Sequence, residues 1–456
     1  MKYWLLLLYL FASTLSWSEN TYYRFRVYLK DKGNQIYHIH QPEAFLSEAA
    51  LARRNQQHIP ISESDLPISA AYKQQLTNSG CTLITESRWL STVVVEYPDS
   101  SLVENLKQIA FVDSVCWVWK GKHIPWQDPT STETLSTDAE PLRNPYGYAQ
   151  KQIRMMKGDK LHKQGFKGEG MRIAVIDAGF TDVNRIEAFA STHIAGTRNM
   201  VYPGETVYAS DEHGTKVLSC LAANLPGIMI GTAPEATYWL IKSEDSHGES
   251  PIEQDYWAAA VEYADSVGAY IITSSLGYFD FDEPATDYTH DDLTGKTAFI
   301  SQAAQIAAEK GLLVFSSAGN EGNTRWKKIT VPADTPDILT VGAITEKRER
   351  SGFSSIGPTA DGRIKPDVAA MGTNCSVIEP GGFIRQANGT SFATPILAGL
   401  GACLWQALPH LNAAEIRALI KQYASQAKQP DNQLGYGIPN IYKSYKAGLK
   451  NGSKRR

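Results

Sequence analysis

The sequence predicts an α/β protein: a doubly wound parallel sheet with helices on both faces, preceded by a small α+β domain. Three observations carry this. Near-continuous apolar runs recur from Met171 onward, as strands buried on both faces require. Turns and helix-period segments separate those runs, and strands alternating with helices build parallel sheets. Upstream, residues 19–120 mix alternating strand patterns with short helices, and a stretch poor in hydrophobic residues divides the two regions.

The chain has 456 residues, room for two or three domains at about 150 residues each. A hydrophobic content of 43% is ordinary for a globular protein. The formal net charge of -4 gives no reason to expect nucleic acid or an anionic membrane as partner, and a monomer is expected. Five cysteines without a C-x-x-C pair indicate neither a zinc site nor a redox motif, and Cys220 and Cys403 read as core residues.

Residues 1–18 read as a signal peptide: Lys2 near the start, a leucine-rich core, then small residues up to a cut after Ser18. The apolar run is well short of the ~20 residues that a membrane span needs, and no later segment is long and uninterrupted enough to cross a bilayer, so no integral membrane segment is expected. The address is therefore exported: periplasmic, cell-surface or extracellular.

In the α+β domain, Thr21–Tyr28 alternates as a half-buried strand. Helices are expected near Pro42–Asn55, Ile68–Asn78 and Ser100–Ile109, and strands at Cys81–Ser87, Thr92–Tyr97 and Val112–Trp119. His38 and His40 lack a carboxylate or cysteine at ligand spacing and read as a surface pair. Residues 121–145, rich in Pro, Ser, Thr and acid, have linker composition and are where a processing cut is expected.

From 146 to 449 the buried strands are expected at Met171–Ile176, Thr237–Ile241, Ala269–Thr273, Gly311–Phe315 and Ile338–Val341. Ser250-Pro251-Ile252-Glu253 has the form of a capping box, and Trp257, Ala260, Val261, Ala264 and Val267 hold one helical face until Gly268. Another helix spans Asn412–Tyr423, and residues 450–456 read as a basic flexible tail.

Four segments can carry chemistry. Asp177 ends the first buried strand, where doubly wound folds place functional groups, though alone it fits a turn aspartate. His213 opens an apolar helix with a glycine after it, leaving room for a group to approach an imidazole that titrates near neutrality. Asn320, in Ala318-Gly319-Asn320, follows a strand end and can aim an amide at a developing oxyanion. Ser391, in Gly389-Thr390-Ser391-Phe392-Ala393-Thr394-Pro395, sits at a helix start among unpartnered N–H groups, with Pro395 placed in the first turn. By itself it is as readily an N-cap.

Together these pieces run acid, histidine, amide, serine, and the acid–histidine–serine order is that of subtilisin among triad enzymes. Val175–Gly179, His213-Gly214-Thr215, Ala318–Asn320 and Gly389–Pro395 resemble the signature segments of the subtilisin-like serine proteases (subtilases, peptidase family S8), over roughly residues 146–445. Ser275-Leu276-Gly277 resembles that family's substrate-binding strand.

The resemblance implies a serine endopeptidase acting through Asp177, His213 and Ser391, with Asn320 at the oxyanion and Ser275, Leu276 and Gly277 binding a protein or peptide substrate. It implies no required cofactor; calcium is common among relatives, yet no site can be assigned. It also implies that the N-terminal domain is a propeptide, serving as chaperone and inhibitor of a zymogen. Ala178 stands where many members carry a hydroxyl residue, which puts the acid's supporting hydrogen bonds in question. The alternative from another class is a catalytically inactive scaffold or binding protein of the same fold.

Overall fold

The computed structural model describes residues 21–123 and 131–454. The expected signal peptide lies outside them, as does the middle of the expected linker.

The N-terminal unit has β1 (Tyr22–Leu29), α1 (Glu48–Gln56), α2 (Ala70–Asn78), β2 (Thr82–Ser87), β3 (Thr92–Tyr97), α3 (Val103–Lys107) and β4 (Val112–Gly121). Its sheet is antiparallel in the order β2-β3-β1-β4. Alternation along the strands assigns the faces. Phe25, Val27, Val93 and Val95 join Leu76 and Leu106 in the unit's own core. Val94 and Val118, on the other face, pack with Val201, Ile252 and Tyr256 of the second unit.

The second unit begins with α4 (Gln150–Met155) and α5 (Gly158–His162), then β5 (Arg172–Asp177), β6 (His193–Asn199) and α6 (His213–Ala222). A short pair, β7 (Asn224–Leu225) and β8 (Met229–Ile230), precedes β9 (Thr237–Lys242), α7 (Glu253–Ser266) and β10 (Ile271–Ser274). There follow α8 (Phe299–Glu309), β11 (Leu313–Ser317), β12 (Leu339–Ile344), β13 (Val368–Met371) and the hairpin β14 (Cys375–Ile378) and β15 (Ile384–Ala387). The chain ends with α9 (Thr390–Ala407), α10 (Ala413–Gln422) and α11 (Ile441–Lys454).

Seven strands form one parallel sheet, ordered β13-β12-β11-β10-β5-β9-β6. Ile173 and Val175 of β5 face one core, with α6 and α9; Ala174 and Ile176 face the other, with α7 and α8. Burial on both faces is why these strands are apolar without alternation. After β5 the chain passes to the edge strand β6, comes back to insert β9 between them, then crosses to place β10 on β5's other side. The carboxyl ends of β5 and β10 therefore flank the switch point, where such sheets bind ligands.

Four expectations need correction. Glu253 reaches back to the Ser250 N–H at 3.1 Å, but α7 starts only at Glu253, so Pro251 lies in the turn before it. Pro395 is the sixth residue of α9, past the first turn. The basic tail is helical to Lys454. Residues 131–145 are docked: Leu135 N–H donates to Arg185 O and Leu135 O accepts from Glu187 N–H, both at 2.9 Å, and Leu142 N–H donates to Gly227 O at 2.7 Å. Leu135 and Ala139 also pack on the main core, so a few apolar anchors offset the ordering of a polar stretch.

All five cysteines are free. No described helix is long and apolar enough to cross a membrane.

The two units meet along α7 through buried charges. Arg26 grips Asp255 with two bonds, 2.7 and 2.6 Å, and its guanidinium lies over the Phe299 ring. Arg53 and Arg54 both pair with Asp265. Glu262 accepts from the Ser87 hydroxyl at 2.5 Å and from the Arg88 and Trp89 N–H groups at 3.0 and 3.1 Å.

Candidate active site

Asp177 is the last residue of β5, fully buried at the switch point. Its Oδ1 accepts from the Ala178 N–H at 2.9 Å and from His213 Nδ1 at 2.6 Å. Its Oδ2 is buried without a hydrogen-bond partner, as a methyl at position 178 allows.

His213 opens α6, where the Asp211 carboxylate accepts its backbone N–H at 2.7 Å. That aspartate two residues ahead is an anchoring signal the sequence reading passed over. Gly214 has a different use from the one expected. A Cβ there would sit 2.3 Å from the Gly179 carbonyl, so glycine lets the helix start close against the turn that carries Asp177. Burial disfavours the imidazolium, but the neighbouring Asp177, helped by Asp211, outweighs it and raises the His213 pKa above 6.5.

Ser391 is the second residue of α9. Pro395 has no N–H to give the carbonyl four residues back, which is that of Ser391. The Ser275 hydroxyl supplies the missing donor at 2.8 Å. In return the Ser391 hydroxyl donates to the Ser275 carbonyl in a long 3.4 Å bond. The imidazole is close: its ring centroid lies 6.2 Å from that of Phe392, the next residue.

Asn320 is exposed beyond β11, after Gly319 at φ 99°, a conformation that favours glycine. Its Oδ1 accepts both the Thr390 N–H, at 2.9 Å, and the Thr390 hydroxyl, at 3.0 Å. The amide is thereby oriented, with Nδ2 as its open end. Ser275, Leu276 and Gly277 continue from β10, and Tyr278 exchanges two backbone bonds with Val331 at 2.9 and 3.1 Å.

The structure brings the singled-out residues together in three bonded pairs, with the His213 ring near Phe392, the neighbour of Ser391. Asp177 joins His213, Asn320 joins Thr390, and Ser391 joins Ser275. A hydroxyl, an imidazole held by a carboxylate and an oriented amide are the parts of an acyl-transfer site.

One acidic group among the described residues has metal-ligand spacing: oxygens of Glu244, Glu249 and Glu253 lie within 4.8 Å of one another. Both Glu253 oxygens are engaged, by the Asp245 and Ser250 N–H groups at 2.8 and 3.1 Å. Glu244 Oε1 accepts from the Tyr278 and Ser243 hydroxyls at 2.6 and 3.0 Å. That falls short of the about six to eight oxygens calcium takes, and no step is assigned to the ion.

Glu249 is exposed as a residue, yet crowding of its carboxyl by surrounding protein, with repulsion from Asp280 and Asp282, pushes that carboxyl up to about 7. A raised carboxyl pKa means that the folded chain keeps a proton the unfolded chain has lost. Stability then falls as pH rises from about 4.5 towards 7. Glu249→Gln, made on a Ser391→Ala background to prevent self-digestion, is expected to raise the melting temperature at pH 8 and leave it unchanged at pH 4.5. Equal shifts at both pH values would contradict this.

Residues 168–437 match the family model described as the subtilase family, peptidase S8. Residues 24–134 match the peptidase S8 propeptide domain of Bacteroidota. The chain is 31% identical over 298 residues to Subtilisin NAT of Bacillus subtilis subsp. natto, covering 64% of this chain and 68% of that protein. Identity, length and both shares are the same for Subtilisin E of Bacillus subtilis strain 168. Against the subtilisin of Bacillus pumilus it is 30% over 286 residues, 62% of this chain and 91% of the other. With its seven-stranded parallel sheet and its propeptide domain, the chain belongs to the subtilase family of serine peptidases.

Proposed function

We propose that the protein is an exported serine endopeptidase made as a zymogen. The observation that carries this is the 2.6 Å bond from buried Asp177 to the imidazole of His213, beside the helix start that bears Ser391. Ser391 Oγ attacks the peptide carbonyl carbon while His213 Nε2 takes its proton. Asp177 holds the Nδ1–H tautomer and stabilises the cation. The oxyanion is met by the Ser391 N–H and Asn320 Nδ2. As the C–N bond breaks, His213 returns the proton to the leaving amine. Water then repeats the sequence on the acyl-enzyme.

The purified protein is expected to digest casein and to be labelled at Ser391 by a fluorophosphonate; a protein that does neither is not a peptidase. Asn320→Ala is expected to lower kcat by ~10²–10³ with KM little changed, since its donor acts on charge present only in the transition state. A loss confined to KM would assign Asn320 to ground-state binding.

The N-terminal domain is read as chaperone and inhibitor, released by a cut between residues 121 and 145. Its burial of the acidic face of α7 supports that role. Residues 275–277, leaving β10 beside Ser391, would pair with an extended substrate as an added strand.

A further inference from the structure

Lys242 is a buried ammonium beside the triad, with no part in the chemistry just assigned. It ends β9 as the parallel neighbour of Asp177, the last residue of β5. Val175 and Leu240 both lie in the core that α6 and α9 cover, so alternation puts Asp177 and Lys242 on that face too. Lys242 is 2% exposed. Among the described residues its ammonium makes one hydrogen bond, donating to Ser210 Oγ at 2.7 Å, and touches no carboxylate. Burial holds its pKa below the usual lysine value, while Asp245, Asp211, Glu205 and Glu244 oppose that pull. A buried charge with a single partner does little for stability, because desolvation cancels most of what the contact gains. Its use lies in what it holds.

Ser210 has φ 72°, a left-handed conformation that is costly for a residue with a Cβ. The residue is exposed, so it is the bond from Lys242, rather than packing, that restrains it. The next residue, Asp211, accepts the His213 N–H on its carboxylate at 2.7 Å. Its carbonyl accepts the Thr181 N–H and hydroxyl at 3.1 and 2.6 Å. A Cβ on Gly179 would lie 3.0 Å from the Asp211 Cβ and 3.1 Å from the Ala209 carbonyl oxygen. The turn that leads into His213 is thus pressed against the turn that follows Asp177, and Lys242 ties it to the end of β9.

We propose that Lys242 is a positioning residue for the triad: by pinning Ser210 in its left-handed conformation, it sets the turn from which Asp211 aims His213 at Ser391. The inference rests on the peptidase reading above. Without the ammonium, Ser210 relaxes towards an ordinary φ and the turn shifts against Gly179. The imidazole then no longer stands where it takes the Ser391 proton, and a misplacement of about 1 Å costs on the order of 10²-fold in rate. Lys242 is assigned no contact with substrate, so ground-state binding is left as it was.

The test is hydrolysis of one peptide amide by the wild type, Lys242→Met, Ser210→Ala and the double variant Lys242→Met/Ser210→Gly. kcat is read on the alkaline plateau of each pH profile, so that a shifted His213 titration cannot pass for lost alignment. Methionine keeps the length of the side chain and removes its charge; alanine keeps the strained φ and removes the bond. Each single variant is expected to lower kcat about ten- to a hundredfold, with KM within about twofold of the wild type. Glycine adopts a positive φ unaided, so the double variant should regain about fivefold or more over Lys242→Met. Melting temperatures on a Ser391→Ala background separate alignment from folding: a merely structural lysine would lower them and leave kcat intact. A Lys242→Met enzyme with wild-type kcat, or a loss that Ser210→Gly fails to repair, overturns the proposal. A wild type that neither hydrolyses the peptide nor takes a fluorophosphonate refutes the peptidase reading instead. Should Lys242→Met fail to fold, Ser210→Ala, at its exposed position, decides.

Discussion

Exchanging Ser391 for alanine is expected to lower peptide hydrolysis by about 10⁶-fold, the scale associated with loss of a triad nucleophile. The effect is large because histidine, carboxylate and oxyanion donors act on the attacking oxygen as a unit. Without it, binding and the oxyanion site retain only a residual rate over water. Stability should hardly change, because the hydroxyl makes one long bond, to the Ser275 carbonyl, at 3.4 Å. A melting temperature within a degree or two of the wild type, together with lost activity, is the expected pair of results. The same variant should remain uncut between residues 121 and 145. If wild type and Ser391→Ala yield identical fragments, the chain does not process itself.

Asp177→Asn is expected to cost about 10⁴-fold in kcat and to move the pH dependence. In the wild type, kcat/KM should rise with pH through a midpoint above 6.5, because His213 must lose its proton and Asp177 opposes that loss. Asparagine removes the carboxylate's charge and leaves the burial, so the midpoint should fall below the wild-type value. Its amide also offers the wrong partner to Nδ1. The pair has a matching effect on stability: a raised histidine pKa adds stability below about pH 6.5, lost as pH rises through the folded value. A pH–rate profile from 5 to 10 is the check, and an unmoved midpoint in Asp177→Asn would remove Asp177 as the partner that tunes His213.

The central strands were legible because a strand covered on both faces is written as an apolar run, as Ile173 to Ile176 is. Edge elements were not. β6 sits at the margin of the sheet with exposed His193 and Arg198, and its sequence offers no such run. The hairpin β14–β15 depends on packing its first strand against α6, contact information that a local pattern lacks. Among site residues, Asp177, His213, Asn320 and Ser391 could be singled out because each lies at a strand end or helix start. The need for Ser275 could not. It follows from Pro395 removing a donor from the Ser391 carbonyl, a deficit visible only once a residue 116 positions away is seen to fill it. Position 178 was read correctly in the negative sense: without a hydroxyl there, Asp177 Oδ2 is left unpartnered.

The charged contact along α7 bears on how the two units would part after the proposed cut. Arg26, Asp255, Arg53 and Asp265 each gave up a hydration shell to meet, and the attraction gained does little more than offset that loss. On separation every one of those ions recovers its water. Mismatched partners, in contrast, would strand a buried charge, which is far more costly. The contact therefore discriminates strongly while gripping weakly: it admits one orientation of one partner, and water competes for every charge in it.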